Sequence, residues 1–437
     1  MERSLSVGGV SSSMSFRGFL HALQEAGHLE EVDRPVSPSL EAAALSVGAG
    51  PLLFNNVDGK KCCMNLLGTR DLLARALGIP REDMAKALAE IDLAGGWIRE
   101  VDSSPFMEAV GEPDLTALPI LTHFRGDGGP YITSGIVVSA FGGKTNASVH
   151  RMMVLGKDRV AARLVPGRHT SMLLQEALAA GERLPVGIVI GVDPLVLIAA
   201  STRVPLGMEF QYASALSGSP VELVALDNGV FVPSAEIAFE GYIDGERASE
   251  GPFVDITGTR DFPRMEPVIH LSKMMTREVP IYHALLPSGG EHKMLMGVPY
   301  EPLIFRAASE VAEVKNVLLT EGGCSYLHAA VQIKKRSEAE PGKVIDAAFE
   351  AHKSLKHVIV VDEDVDIYSP EELEYAVATR VKGDEDMVLY PNVRGSTLDP
   401  RSVDGITTKV GIDATMTLGE EEKFLRVRPV LPEGRTF

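Results

Sequence analysis

Hydrophobic and polar positions alternate with three different rhythms along this chain, and the rhythms divide it. Phe16, Phe19, Leu20 and Leu23 recur at the spacing of a helix face. Ser37-Pro38 reads as an N-cap followed by a first-turn proline, opening an Ala-rich helix from Leu40 to Val47. A buried strand is predicted over Pro51–Val57, with helices over 70–76 and 80–93. The proline-bearing segment Pro113–Pro119 reads as a boundary, which gives an N-terminal α/β module over 14–120.

From 121 to 300 the pattern becomes short strands punctuated by turns. Strands over Asn146–Leu155 and Arg159–Val165 flank Gly156-Lys157-Asp158, and Val221–Leu226 and Val230–Val232 flank Asp227-Asn228-Gly229, both hairpin signatures. Further strands are predicted over Pro185–Val192, Glu236–Ile243, Val268–Ser272 and Pro280–Leu286, a density that favours a barrel-like domain. From 301 to 437 helix and strand alternate again. Helices are expected over 302–314, 344–354 and 370–380, and strands over Val317–Leu319, Leu327–Ile333, His357–Val361 and Met387–Tyr390, as in a layered α/β domain.

Composition narrows the function. The 437 residues are 45% hydrophobic, enough for more than one core. With 42 Lys and Arg against 60 Asp and Glu, the net charge of −18 argues against a nucleic acid or an anionic membrane as partner. Cys62, Cys63 and Cys324 offer neither a disulfide framework nor a C-x-x-C metal site, so a reducing cytoplasm is the expected compartment. No apolar run nears the ~20 residues of a membrane span. Residues 1–13, rich in Ser and Gly, read as a disordered extension.

The chemistry is sought where the pattern breaks. Glu250-Gly251-Pro252-Phe253-Val254-Asp255-Ile256-Thr257-Gly258 sets two carboxylates five positions apart around a turn. In a straight strand that offset would put them on opposite faces, and a bend at Gly251-Pro252 would let both face one site. Arg151 lies amid Val149, Met152, Met153 and Val154, where an inward arginine must find an anion. Asn146, His169 and Glu209 form an oxygen-rich set suited to Mg²⁺ or Mn²⁺. A turn-capping Asn, a lone His and a surface Glu would fit the same residues. No P-loop, Rossmann fingerprint, nucleophile elbow or H-E-x-x-H occurs.

Taken in order, these residues resemble the UbiD-type decarboxylases, which use prenylated flavin mononucleotide (prenylated FMN). The resemblance runs through Asn146 and Arg151, Pro166–His169, Val232–Glu236, Phe239–Gly241, Glu250–Gly258, Glu321–Tyr326, Asp362–Ile367 and Lys409–Thr415. It implies an α+β fold: an N-terminal α/β module, a central split β-barrel that binds the flavin, and a C-terminal α/β domain for oligomerisation. It also implies catalysis by Arg151, Glu250 and Asp255. Asn146, His169 and Glu209 would ligate Mn²⁺ or Mg²⁺ at the cofactor phosphate, Arg168 and Lys409 would also contact the cofactor, and backbone near Ala200, Ser201 and Arg203 would hold K⁺. Arg168 stands where some relatives have Gln.

The resemblance further implies a UbiX-type flavin prenyltransferase as cofactor supplier, a small unsaturated carboxylic acid as substrate, and a homo-oligomer, dimer or hexamer. Pro391–Ser396 before Asp399-Pro400 resembles the archaeal branch of the family, which points to trans-anhydromevalonate 5-phosphate as the acid. A 4-hydroxybenzoate-type aromatic acid is the alternative substrate. A non-catalytic flavin-binding assembly protein is the alternative of another class.

Overall fold

The helical spacing that begins at Phe16 becomes a helix over Phe16–Glu25 in the computed structural model, which describes residues 15–427. Ser15 caps it by accepting the Gly18 N–H at 3.1 Å, and Phe16, Phe19, Leu20 and Leu23 are all buried. The extension expected over residues 1–13 lies outside the described residues. The chain divides into two compact units between Pro299 and Tyr300. No helix among the described residues is long and apolar enough to cross a membrane.

Two helices of the first unit differ from their sequence patterns. The Ala-rich helix is shorter, Glu41–Ser46, and its N-cap is Leu40 at φ 70° rather than Ser37. The Ser37 amide instead donates to the Glu41 carboxylate at 2.8 Å, so a side chain inside the helix reaches back to close the turn. The helix expected over 80–93 covers only Met84–Ala89, and Asp92 then caps a single 3₁₀ turn by accepting the Ala94 N–H at 2.9 Å.

A four-stranded sheet orders Glu30–Val32, Leu52–Val57, Lys60–Met64 and Ile281–His283. The last of these was expected in the central domain, but it pairs in parallel with Lys60–Met64. The central sheet is nine-stranded. Its path runs Tyr131–Ile132, Met152–Val154, Arg159–Ala162, Arg264–Thr276, Ile237–Glu250, Leu184–Ile190, Ile136–Phe141 and Lys144–Val149, with Ala109–Gly111 paired to Arg264–Thr276 off the path.

The strand predicted over Asn146–Leu155 is broken at His150-Arg151. Its first half forms one edge of the sheet, beside Ile136–Phe141, and its second half pairs with Arg159–Ala162 near the other edge. Two residues reach only about 7–10 Å, so the sheet curls until its ends come close. The His150 amide donates to Gly135 O at 3.1 Å, which continues the pairing of Ile136 with Val149 by one residue up to the break. The mixed α+β architecture agrees with the sequence pattern, but the strands do not close into a hydrogen-bonded barrel. Arg151 sits at the seam.

The second unit carries a five-stranded sheet ordered Glu313–Leu319, His328–Lys334, His357–Asp362, Ile406–Ala414 and Met387–Arg394. His357–Asp362, buried along nearly its whole length, runs parallel to both neighbours. Helices Glu301–Ser309, Glu340–Ala351 and Pro370–Arg380 accompany the sheet, the last capped by Ser369, whose hydroxyl accepts the Glu372 N–H at 3.2 Å.

Candidate active site

Arg151 gathers three carboxylates. Its Nε and Nη2 donate to the two oxygens of Glu250 at 3.0 and 2.9 Å, the bidentate geometry that a planar guanidinium favours. Nη1 donates to Asp255 Oδ2 at 2.8 Å, and Nη2 donates again to Asp261 Oδ2 at 2.8 Å. One face of the guanidinium lies 4.6 Å over the Phe253 ring. Only 10% of the Arg151 side chain is exposed, and none of Glu250. Burial opposes the Arg151 charge, but the carboxylates outweigh it and push its pKa up.

The segment Glu250–Gly258 supplies two of these partners. Glu250 ends the long strand Ile237–Glu250, and a cis Gly251-Pro252 bond with Gly251 at φ 100° turns the chain. Phe253–Val254 then pairs briefly with Arg260–Asp261. The Asp255 N–H donates to Thr259 O at 3.0 Å, while Asp255 Oδ1 accepts the Ile256 N–H at 2.7 Å, leaving Oδ2 for Arg151. The bend expected from sequence does bring both carboxylates to one guanidinium. Tyr131 completes the cluster, its hydroxyl donating to Glu250 Oε1 at 3.0 Å.

A second cluster forms at the other half of the broken strand. Asn146 Oδ1 and His169 Nδ1 are 3.2 Å apart, and the Asn146 amide nitrogen donates to the hydroxyls of Ser148 and Thr170, each at 2.9 Å. His169 opens the helix His169–Ala179, with Arg168 at its N-cap. Glu209 opens the helix Glu209–Ser217, is buried, and lies beside the Ala147 amide. Burial raises its carboxyl pKa to about 7, and it forms no ion pair among the described residues.

These side chains fit a divalent cation. Asn146 Oδ1 and His169 Nδ1, hydrogen-bonded at 3.2 Å, are an oxygen and a nitrogen donor side by side. A desolvated carboxylate without a protein cation supplies the charge such an ion needs. Among the described residues no three His, Cys, Asp or Glu side chains form a metal-sized group. This set has only two of those types and is completed by an amide.

Ala200 and Ser201 end the helix Pro194–Ser201, and the Ser201 hydroxyl turns back to donate to Leu197 O at 2.8 Å, so its backbone is what remains for a cation. Arg203 follows in the next loop. Lys409 belongs to the second unit. There it is mostly buried, donates to Lys353 O at 2.8 Å and lies 5.0 Å over the Phe349 ring. Burial, with help from Lys353, lowers its pKa to about 8.

Three family models match consecutive stretches of the chain. The 3-octaprenyl-4-hydroxybenzoate carboxy-lyase N-terminal domain matches residues 20–91, the Rift-related domain 99–290 and the C-terminal domain 293–414. The chain belongs to the UbiD family. Among its relatives, the anhydromevalonate phosphate decarboxylase of Methanosarcina mazei is 56% identical over 424 residues, covering 96% of this chain and all of that one. The protein of that name from Aeropyrum pernix is 38% identical over 91% of this chain and 92% of its own. Among solved structures, the UbiD-class enzyme HmfF from Pelotomaculum thermopropionicum, in complex with FMN, superposes with a TM-score of 0.91 at 37% identity, covering 95% of this chain and 97% of that one.

Within this UbiD chain, sequence reasoning missed several residues at the Arg151 cluster. Asp261 follows Thr259-Arg260 and reads as a solvated turn, yet it is held by both Arg151 and Arg264. Burial would raise its pKa, but the two guanidinia overcome that and lower it. His292 Nδ1 accepts the Ser288 N–H at 3.0 Å, which puts the proton of the neutral ring on Nε2. Burial lowers the pKa of His292, the nearby Asp255 notwithstanding. His123, buried with neither ring nitrogen hydrogen-bonded, is pushed down to about 3 by burial, with His292 adding to the shift. No local signal marks either histidine.

Proposed function

We propose that this protein is a decarboxylase of an unsaturated acid, with an anhydromevalonate phosphate as substrate and an isopentenyl phosphate as product. The observation that carries the reading is the intact cluster of Arg151, Glu250 and Asp255 in a chain 56% identical, over almost its whole length, to the Methanosarcina mazei anhydromevalonate phosphate decarboxylase. Losing CO₂ from an sp² carbon would leave a carbanion with no place for its charge, and side chains offer no electron sink. Prenylated FMN, when bound, supplies that sink; the HmfF structures, with FMN and in an evolved dimeric form with prenylated FMN, support a flavin here.

Each protein residue then has a defined task. Glu250, anchored by Tyr131 and excluded from water, fixes the plane of Arg151. Arg151 holds the substrate carboxylate through N–H donors. Asp255 Oδ2, beside the same guanidinium, carries the proton that replaces CO₂. Asn146, His169 and Glu209 hold Mn²⁺ or Mg²⁺, which neutralises the flavin phosphate in an acidic protein. Arg168 adds a cofactor contact, and backbone around Ala200, Ser201 and Arg203 holds K⁺. A UbiX-type prenyltransferase supplies the cofactor, and a cytoplasmic homo-oligomer is the expected working form.

The test is turnover by purified, cofactor-loaded protein. CO₂ released from trans-anhydromevalonate 5-phosphate and not from 4-hydroxybenzoate supports the reading. The reverse result would transfer the protein to aromatic acids, and flavin binding without CO₂ from either would make it an assembly protein.

A further inference from the structure

Arg151 has little left to offer a substrate. A guanidinium carries five N–H groups. Here Nε–H goes to Glu250, one Nη1–H to Asp255, and both Nη2–H groups go to Glu250 and Asp261. One Nη1–H remains, whereas a carboxylate held by both oxygens needs two donors. When Glu250, Asp255 and Asp261 are all ionised, they exceed the charges of Arg151 and Arg264 by one. With the Asp255 proton in place the charges balance, so an incoming anion meets a cluster that is short of donors and has no positive charge to spare.

The three carboxylates are not equally tied to Arg151. Glu250 makes two bonds to it, accepts from Tyr131 and is wholly buried. Asp255 makes one bond and is assigned to the chemistry. Asp261 also makes one, but it has other anchors. Its Oδ1 accepts from Arg264 Nη2 at 2.7 Å and from the Phe262 N–H at 3.0 Å, and its Oδ2 accepts from Arg264 Nη1. Asp261 can release Arg151 and remain paired, so no buried charge is orphaned.

We propose that Asp261 is a positioning residue that occupies the Arg151 Nη2–H until the substrate carboxylate takes its place, with Arg264 as the cation that retains Asp261 after the exchange. This rests on the decarboxylase reading above. Release leaves one N–H on each terminal nitrogen of Arg151, the two donors a carboxylate needs. Glu250 still fixes the guanidinium from its other side. Affinity for the acid is thereby set by competition between two carboxylates for one donor, and Arg264 tilts that competition toward substrate.

The two partners must then act with opposite signs. Asp261→Asn removes the competing charge and should lower KM by about tenfold, the size of one charge-assisted hydrogen bond. Arg264→Gln leaves Asp261 with Arg151 as its only cation and should raise KM by a similar factor. The double variant should return to the low KM of Asp261→Asn. A merely structural ion pair would raise KM, or lower the melting temperature, in the same direction for both single variants.

The experiment measures KM and kcat of the loaded enzyme with trans-anhydromevalonate 5-phosphate. It also measures that acid's dissociation constant for the cofactor-free protein by calorimetry. Opposite shifts in KM and in dissociation constant, with the double variant at the low values of Asp261→Asn and not at those of the wild type, establish the exchange. Both variants weakening together, by either readout, overturns it. Opposite shifts in binding with no CO₂ from the wild type would keep the exchange and remove the decarboxylase reading. CO₂ release with both variants weakened would do the reverse.

Discussion

The two halves of one broken strand solve opposite electrostatic problems. Past the break, Arg151 brings its own anions, and every carboxylate around it has a protein cation at hydrogen-bonding distance. Before the break, Glu209 is desolvated beside the Ala147 amide with no ion pair among the described residues, and its pKa rises to about 7. The first region is complete as protein. The second is short of one positive charge, which a bound ion would supply. Under the proposed roles, the difference teaches that reactive charges are preorganised by the chain, while charges that would hold a cofactor are left for the ligand to complete.

The comparison can be broken by substitution, beginning with the largest effect. Asp255→Asn should cut kcat about 10²–10⁴-fold, the range for losing a positioned acid, while flavin absorbance of the purified protein stays at the wild-type level. Full activity would take the proton away from Asp255. Next, Glu250→Ala should lower unfolding stability of the first unit by about 1–3 kcal/mol in denaturant titrations, because Arg151 Nε and the Tyr131 hydroxyl lose their buried acceptor.

Glu209→Gln should act in the other direction on metal-free protein. Removing an unpaired buried carboxylate should raise stability by about 1–3 kcal/mol, while Mn²⁺ retention falls at least about tenfold. Metal analysis and thermal melts of the same samples read both. If Glu209→Gln and Glu250→Ala destabilise alike in metal-free protein, the contrast between the regions is wrong.

The smallest effect concerns His123. Its folded pKa of about 3 lies below the ordinary 6.5, so the unfolded chain takes up a proton that the folded one refuses. The contribution is present above pH 6.5 and lost as pH falls toward 3. His123→Phe should therefore shift acid unfolding to lower pH, as circular dichroism would show; an unchanged midpoint would mean that the ring is protonated or solvated in the folded state.

Much of this was legible in the chain, for identifiable reasons. Helix Phe16–Glu25 and strand His357–Asp362 follow their hydrophobic periods because burial organises them, whereas Ile406–Ala414 in the second unit was not read from the chain. Glu250 and Asp255 stood out because Gly251-Pro252 forces a turn between them. The break at His150-Arg151 was hidden, since apolar residues flank it on both sides and read as one continuous strand. The open sheet path, and the loss of Ile281–His283 to the N-terminal sheet, depend on long-range pairing that no local pattern records. Asp261 escaped for the same reason: its partners are Arg264, three residues on, and Arg151, which lies 110 positions away in sequence.

The central claim is that Arg151, Glu250 and Asp255 remove CO₂ from an unsaturated acid and return a proton to the same carbon. Turnover of trans-anhydromevalonate 5-phosphate in deuterium oxide, followed by mass spectrometry of the product, tests it most directly. The account predicts one deuterium per isopentenyl phosphate formed by wild-type protein, and no product from cofactor-loaded Asp255→Asn. Equal product from the two proteins, with the same label, would contradict it.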